Sequence, residues 1–493
     1  MNMIPRMQSL LPLAASVAVG LLSSSAMAAP PPMTMSIDAD NPAFSGPAGA
    51  TPKGGQVGFI DSISRRNAML GDMWGVRPWL GQYGITLGLQ ETSEVLGNLT
   101  GGTRKGFEYD GLTQAVMQLD TQRAFGWYGG TFNVSGLQIH GRNLSADNLG
   151  SLQTASGIEA DDKTRLWELW YQQKFLDQDR MDVKIGQQSL DQEFMVSQNA
   201  NYFVNTMFGW PMVPSADLPG GGPAYPLSAL GVRMRAKPND ALTFLAGVYN
   251  GSPASDNNNP DSQHANPSGT TFPLNGGVLA IAEVQYAYPA LGSMVSADGP
   301  QPLSRLYKLG IWYNSESFAD EQYDTTGRSL ADPGTNGVAK SHRGNYAIYA
   351  VADQMLWHSE NVDDRTLNFF TRIMGTPLTD RNLIDFSLNA GFTLHEPFIG
   401  RDDDTIGIGM GYAHVSNSVG AFDRAQTFFG TYTPVQTGET FIEATYQYQL
   451  MPWWQLQPDF QYVINPGAGI LNPNTGGKVG NEAVLGIRTN ILF

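Results

Sequence analysis

The sequence predicts an all-β fold, an outer-membrane antiparallel β-barrel of about 16 strands with a short N-terminal helical segment, on three observations. First, the final residues alternate: Leu485, Ile487, Thr489, Ile491 and Phe493 share one face, and Gly486, Arg488 and Asn490 the other. A chain that stops on such a strand is expected to be closing a barrel. Second, the same two-residue period recurs from Ile85 onward, most cleanly in Leu230 to Ala236, Ile384 to Leu394, Thr405 to His414, Phe441 to Leu450 and Trp454 to Ile464. Third, the connections alternate in length, as short inner turns and long outer loops do in membrane barrels.

Taken in order, residues 1–28 read as an export signal, with Arg6, an apolar run from Leu10 to Leu22 and Ala26-Met27-Ala28 as the cleavage site. Residues 29–56 are rich in Pro, Gly and Ala and read as a disordered leader. Residues 57–84 form a pre-barrel helical segment, with Ile63, Leu70 and Trp74 on one side. The barrel is expected over 85–493. Its short inner turns include Leu176 to Arg180, Lys237 to Asp240, His358 to Asp364 and Met451 to Trp453. The outer loops include His140 to Thr164, Ser189 to Ala229, Gly251 to Gly277, Ser315 to Gly344 and Val415 to Gly438. Two connections break the rule: Pro289 to Ser304 is long for an inner turn and Met374 to Leu383 short for an outer loop. Pro458 also strains the scheme, because proline removes a ladder hydrogen bond.

The composition is compatible with a barrel. Hydrophobic residues make up 41%, since only alternate strand residues meet lipid, while 56 Gly, 10 Trp, 19 Tyr and 23 Phe suit tight turns and aromatic girdles. No stretch after the signal approaches the roughly 20 apolar residues of a spanning helix. Without cysteine, stability cannot come from disulfides. The formal charge is -16, and -17 once Arg6 leaves with the signal (-16 minus 1), which argues against nucleic acid as a partner.

Four segments, Trp74-Gly75-Val76-Arg77, GQQSLDQEFMVSQNANYFVNTMFGWP (Gly186 to Pro211), RDDDTIGIGMGYAHVS (Arg401 to Ser416) and PWWQLQPDFQYVINPG (Pro452 to Gly467), resemble the carbohydrate-selective porins of the OprB family. The resemblance implies a barrel in the bacterial outer membrane, in contact with its lipid and lipopolysaccharide, passing glucose and related sugars to the periplasm. Another small solute, such as a polyol, organic acid or anion, is the alternative cargo. Glu91 departs from the family, which has an aromatic or apolar residue there, and so puts the register of the first strand in question.

Sugar passage needs hydroxyl partners and flat apolar faces that bind weakly. In Leu230 to Ala236, Leu230, Val232, Met234 and Ala236 are expected to face lipid, placing Arg233 and Arg235 in the lumen. They either clamp hydroxyls or neutralise lumen carboxylates to hold a loop. In Leu166 to Phe175 the outward set is Trp167, Leu169, Tyr171 and Phe175, leaving Glu168, Trp170, Gln172 and Lys174 inside. Trp170 either stacks on sugar or packs under a loop. Loop 189–229 is expected to fold inward as a constriction, burying Tyr202, Phe208 and Trp210 and presenting Asp191 and Glu193 to the solute.

No His-Glu-x-x-His, Gly-x-Ser-x-Gly or phosphate-loop pattern is present, so no enzyme activity or cofactor is expected. Gly407, Gly409 and Gly411 lie inside an alternating strand and read as a smooth inner wall. Asp402 to Asp404 read as an acidic turn, not a metal site.

Overall fold

The computed structural model describes residues 67–254, 261–289, 302–359 and 365–493. The expected signal and leader lie outside the described residues, as do the first ten positions of segment 57–84. Its helix covers only Val76–Gly81. Met73 and Trp74 stand in the left-handed region (φ 53° and 56°), which ends any regular helix before them. Trp74, expected on one helix side with Ile63 and Leu70, precedes the helix and is 90% exposed.

Sixteen antiparallel strands close on themselves in sequence order, β1 pairing with β16. They are β1 (Ile85–Thr100), β2 (Gly106–Asp120), β3 (Gly130–Gly141), β4 (Thr164–Phe175), β5 (Met181–Gln188), β6 (Ala229–Ala236), β7 (Leu242–Asn250) and β8 (Val278–Tyr288). There follow β9 (Arg305–Asp324), β10 (Ala339–His358), β11 (Thr366–Gly375), β12 (Ile384–His395), β13 (Thr405–Val415), β14 (Gly438–Met451), β15 (Trp454–Ile464) and β16 (Glu482–Leu492). Closure leaves no edge strand, so nearly all spanning backbone groups find partners in the wall, apart from the bulges and the break at Pro458.

Alternation sorts the side chains. Along β16, Leu485 and Ile487 are exposed on the outer wall, whereas Arg488 and Asn490 are buried inside. At the closing seam Arg488 lies opposite Glu94, and its Nε donates to Glu94 Oε2 at 2.8 Å. Exposed aromatics ring both ends: Trp79, Tyr83, Phe125, Trp127 and Tyr128 at the end of the short turns, Phe107 and Tyr109 near the other.

The two connections of unexpected length are genuine: 289–304 joins β8 to β9, and 376–383 joins β11 to β12. The expected loop Ser315 to Gly344 is shorter than read, because β9 and β10 run on to Asp324 and from Ala339. Pro458 is tolerated because pairing with β14 lapses there, resuming from Thr445↔Asp459 to Tyr448↔Leu456. Trp167 is a correction. A bulge opposite Ser135 and Gly136 turns it from the outer wall to the interior, where it is buried 6.2 Å from the Tyr225 ring. Glu91 does face outward, since its neighbours Gln90 and Thr92 are buried inside.

Candidate solute path and constriction

The loop between β5 and β6 (189–228, hereafter L3) lies inside the barrel. Phe203 and Phe208 stack at 4.3 Å between ring centroids, and Phe208 meets Phe370 of β11 and Phe441 of β14 at 5.6 and 5.3 Å. Trp210 is fully buried and donates its Nε1 to Gly221 O at 2.9 Å; Tyr202 packs at the margin of the same cluster. The inner face of β13 explains the seat: a Cβ at Gly407 would stand 2.8 Å from the Phe203 ring, and one at Gly409 2.6 Å from the Phe208 ring. Only glycine leaves room for those rings.

A loop without a sheet partner must satisfy its backbone otherwise. Here the charged wall does it. Glu283 accepts Met195 N at 2.9 Å, Asp353 accepts Ser197 Oγ at 2.6 Å and Asn199 N at 3.2 Å, and Glu443 accepts Val204 N and Asn205 N at 2.6 and 3.0 Å. From the opposite sign, buried Arg372 of β11 donates to the carbonyls of Met195 (2.9 Å), Gly209 (2.8 Å) and Met207.

Against the β4–β6 side, L3 contributes Glu193 to a charged cluster. Arg233 pairs with both Glu193 and Asp182, Lys184 pairs with Glu193, and Arg235 Nε donates to Asp182 Oδ2 at 2.6 Å. Lys184 Nζ sits 4.3 Å over the Trp170 ring, a cation–π contact. Glu168 accepts Ser189 N at 3.1 Å at the root of L3. Three cations, Lys184, Arg233 and Arg235, thus face two carboxylates, Asp182 and Glu193, beside one indole.

The expected residues divide by access. Arg235 (33% exposed), Glu193 (17%) and Trp170 retain exposed surface. Arg233, at 2%, lies behind them as the bridge between Asp182 and Glu193. Asp191 is a correction: 2% exposed, it faces its own loop, accepting Ser189 Oγ at 2.6 Å and Tyr225 N at 2.9 Å. A short 3-10 turn, Leu190–Gln192, points Asp191 and Glu193 in different directions. Sequence reasoning missed Asp182 and Lys184, although the period of β5 places both inside opposite Val183 and Ile185. It missed Arg372 because no local pattern marks its carbonyl partners. The acidic turn 402–404 is internally engaged: Asp404 accepts Arg401 Nε at 2.8 Å and Gln449 N at 2.9 Å.

Asp191 and Glu193 also titrate in opposite senses. Burial alone raises Glu193, but Lys184 and Arg233 outweigh it and hold the carboxyl down at about 2. Its contribution to docking L3 is therefore present above the ordinary range and lost only as pH falls through about 2. Burial pushes Asp191 up to about 6 against hydrogen bonds from Ser189, Tyr225 and Gln192, so its contribution is complete below 3.8 and lost as pH rises through about 6. Between pH 4 and 6 the wild type should lose on the order of 2–3 kcal/mol relative to Asp191→Asn. Paired thermal melts across that window check this, and parallel curves would refute it.

A closed, sixteen-stranded antiparallel barrel with girdled ends and a loop folded into its lumen is a porin, a channel class of the outer membrane. Residues 104–493 match the carbohydrate-selective porin family OprB, and the chain belongs to that family: it is an outer-membrane porin for carbohydrates. It is 24% identical to Porin B of Pseudomonas aeruginosa over 461 residues, covering 86% of this chain and 91% of that one. It is also 24% identical to the putative porin QuiX of Acinetobacter baylyi over 428 residues, 82% and 90% of the respective chains. The high-pH structure of Pseudomonas putida OprB superposes with a TM-score of 0.75 at 23% identity, covering 87% of this chain and 99% of that one, which supports the fold.

Proposed function

We propose that the chain passes glucose-sized sugars through the gap between L3 and β4–β6, with Trp170 as the stacking face and Arg235, Lys184 and Glu193 as hydroxyl partners. The observation that carries this reading is the Trp170 indole under Lys184, which pairs with Glu193 at the edge of the folded-in loop, with Arg235 bound to neighbouring Asp182; Trp170, Glu193 and Arg235 keep exposed surface, while Lys184 is largely buried. The binding required is modest. A millimolar site needs about -4.1 kcal/mol, and one or two hydrogen bonds to charged groups, roughly 1.5–3 kcal/mol each, together with one ring contact supply it. Export through a signal cleaved after Ala28, and contact of the outer wall with lipid and lipopolysaccharide, belong to the same reading.

Flux through reconstituted protein tests it, comparing glucose with sucrose and a small organic anion. Glucose should pass fastest; equal passage of sucrose, or preference for the anion, would sink the reading. Arg235→Ala should weaken sugar block of ion current by roughly three- to tenfold, as expected for a partly exposed charge-assisted hydrogen bond. It should also shift ion preference toward cations, because a positive lumen charge is lost. Unchanged block and preference in a folded variant would remove Arg235 from the path.

A further inference from the structure

Two outer loops meet at the start of β4, residues 142–163 between β3 and β4 and residues 251–277 between β7 and β8. Ser268 O accepts Leu166 N at 2.9 Å, and Asp161 N donates to Gln263 Oε1 at 2.9 Å. That clasp brings three side chains together. Asp161 comes from the first loop; Asp261 and His264 come from the second, where Asp261 caps a one-turn helix, Ser262–Ala265. Asp261 Oδ1 accepts Gln263 N at 2.9 Å and His264 N at 3.2 Å, which turns its Oδ2 toward the imidazole. His264 Nδ1 then stands 2.7 Å from Asp261 Oδ2 and 3.0 Å from Asp161 Oδ2. The three donor atoms lie within 4.8 Å of one another.

The trio does not satisfy itself. An imidazole carries at most one hydrogen on Nδ1, so a single N–H faces two carboxylate oxygens. Asp161 Oδ2 is the one left over: it is buried and has no hydrogen-bond partner among the described residues. Burial and the charge of Asp261 push the Asp161 carboxyl up, and His264, Arg165 and Lys163 do not offset them. Nor is Arg165 the missing partner, since it is buried with all three of its side-chain nitrogens unmatched among the described residues. A buried carboxylate oxygen without donor or cation is costly.

We propose that Asp161, Asp261 and His264 form a zinc site that staples these two loops together at the outer mouth. Two carboxylates balance the charge of a divalent cation, and a neutral imidazole completes a nitrogen and oxygen donor set that zinc accepts. Zinc holds such donors at about 2.0–2.2 Å in tetrahedral array, which sets them about 3.3 Å apart. From 2.7 and 3.0 Å, shifts of roughly 0.5 Å reach that geometry. The His264 side chain is 57% exposed, so an ion enters from the external medium and keeps its fourth position for water. Bound there, it ties the second loop to the start of β4, the strand that carries Glu168 and Trp170.

The absence of cysteine leaves histidine and carboxylates as the zinc ligands, which makes the test direct. Purified protein in detergent, stripped with a chelator, is titrated with Zn2+ by calorimetry. One ion per chain should bind, and His264→Ala and Asp161→Asn should each weaken it tenfold or more. His414→Ala removes another exposed imidazole, one paired with a single carboxylate, Asp385, and should leave the affinity unchanged. Co2+ in place of zinc should give the visible absorption bands of a tetrahedral site, and these should vanish in His264→Ala. Heat-shifted gel migration checks that each variant is a folded barrel, and the cobalt spectrum of the unaltered protein decides the matter where a variant is not. Absence of stoichiometric binding, an octahedral cobalt spectrum, or an affinity indifferent to His264 and Asp161 would each overturn the proposal.

Discussion

Shortening L3 between Asn199 and Pro223 is expected to raise single-channel conductance severalfold, admit larger sugars and lower discrimination among them. The deleted stretch holds Phe203, Phe208 and Trp210, the rings that fill the lumen between β11, β13 and β14. A barrel of this strand number encloses an aqueous channel unless something occupies it. The wall itself should survive, because its ladder runs from strand to neighbouring strand and closes through β1 and β16 without L3. Glu443 and Asp353 lose their loop amides but gain water, which offsets the loss. Planar-bilayer conductance and liposome swelling with sugars of increasing size are the measurements. A variant that forms a heat-modifiable barrel yet keeps the parent conductance and size limit would show that L3 does not set the aperture.

Arg372→Met is expected to loosen the same loop without opening the barrel. Its guanidinium is fully buried and donates to three L3 carbonyls, Met195, Met207 and Gly209, which have no strand to pair with. Methionine fills much of the volume but donates nothing. Leaving buried acceptors unmatched costs about 1–3 kcal/mol each, and partial entry of water should reduce the total to roughly 3 kcal/mol. That is enough to populate undocked L3 conformations measurably. The signature should be flickering current, increased proteolysis near Gly220, and a lower thermal midpoint for a barrel that still assembles. Quiet channels and unchanged proteolysis would assign the docking of L3 to its phenylalanine cluster and the wall carboxylates rather than to Arg372.

Much of this architecture was legible in the sequence because a strand's period of two is a local property. Leu485 and Ile487 against Arg488 and Asn490 state both faces of β16 without reference to any other residue, and the same reading places Arg235 and Trp170 inside. Glu91 put the register of β1 in question, and the fold keeps the alternation with Glu91 outward. Lys184 and Asp182 were equally available from the period of β5. The sequence also marked L3 as unusual, since a cluster of aromatics in a long outer loop needs somewhere to pack.

Other features were decided only by the folded chain. Asp191 and Glu193 stand two positions apart in a loop with no period, and a single 3-10 turn sends one to its own backbone and the other to Arg233 and Lys184. Trp167 obeys the alternation of β4 until one bulged residue, invisible in the pattern, turns it inward. Arg233 reads as a free lumen charge until Asp182, 51 residues earlier in the chain, and Glu193 are brought against it. Arg372 reaches carbonyls 163 to 177 residues away. The sequence by itself determined which face of the wall the regularly alternating strand residues occupy, because neighbouring peptide geometry fixes that wherever no bulge such as the one at Trp167 intervenes. Tertiary structure decided which of the inward charges remain open to a passing solute and which are consumed in holding L3, because that depends on partners that only barrel closure brings together.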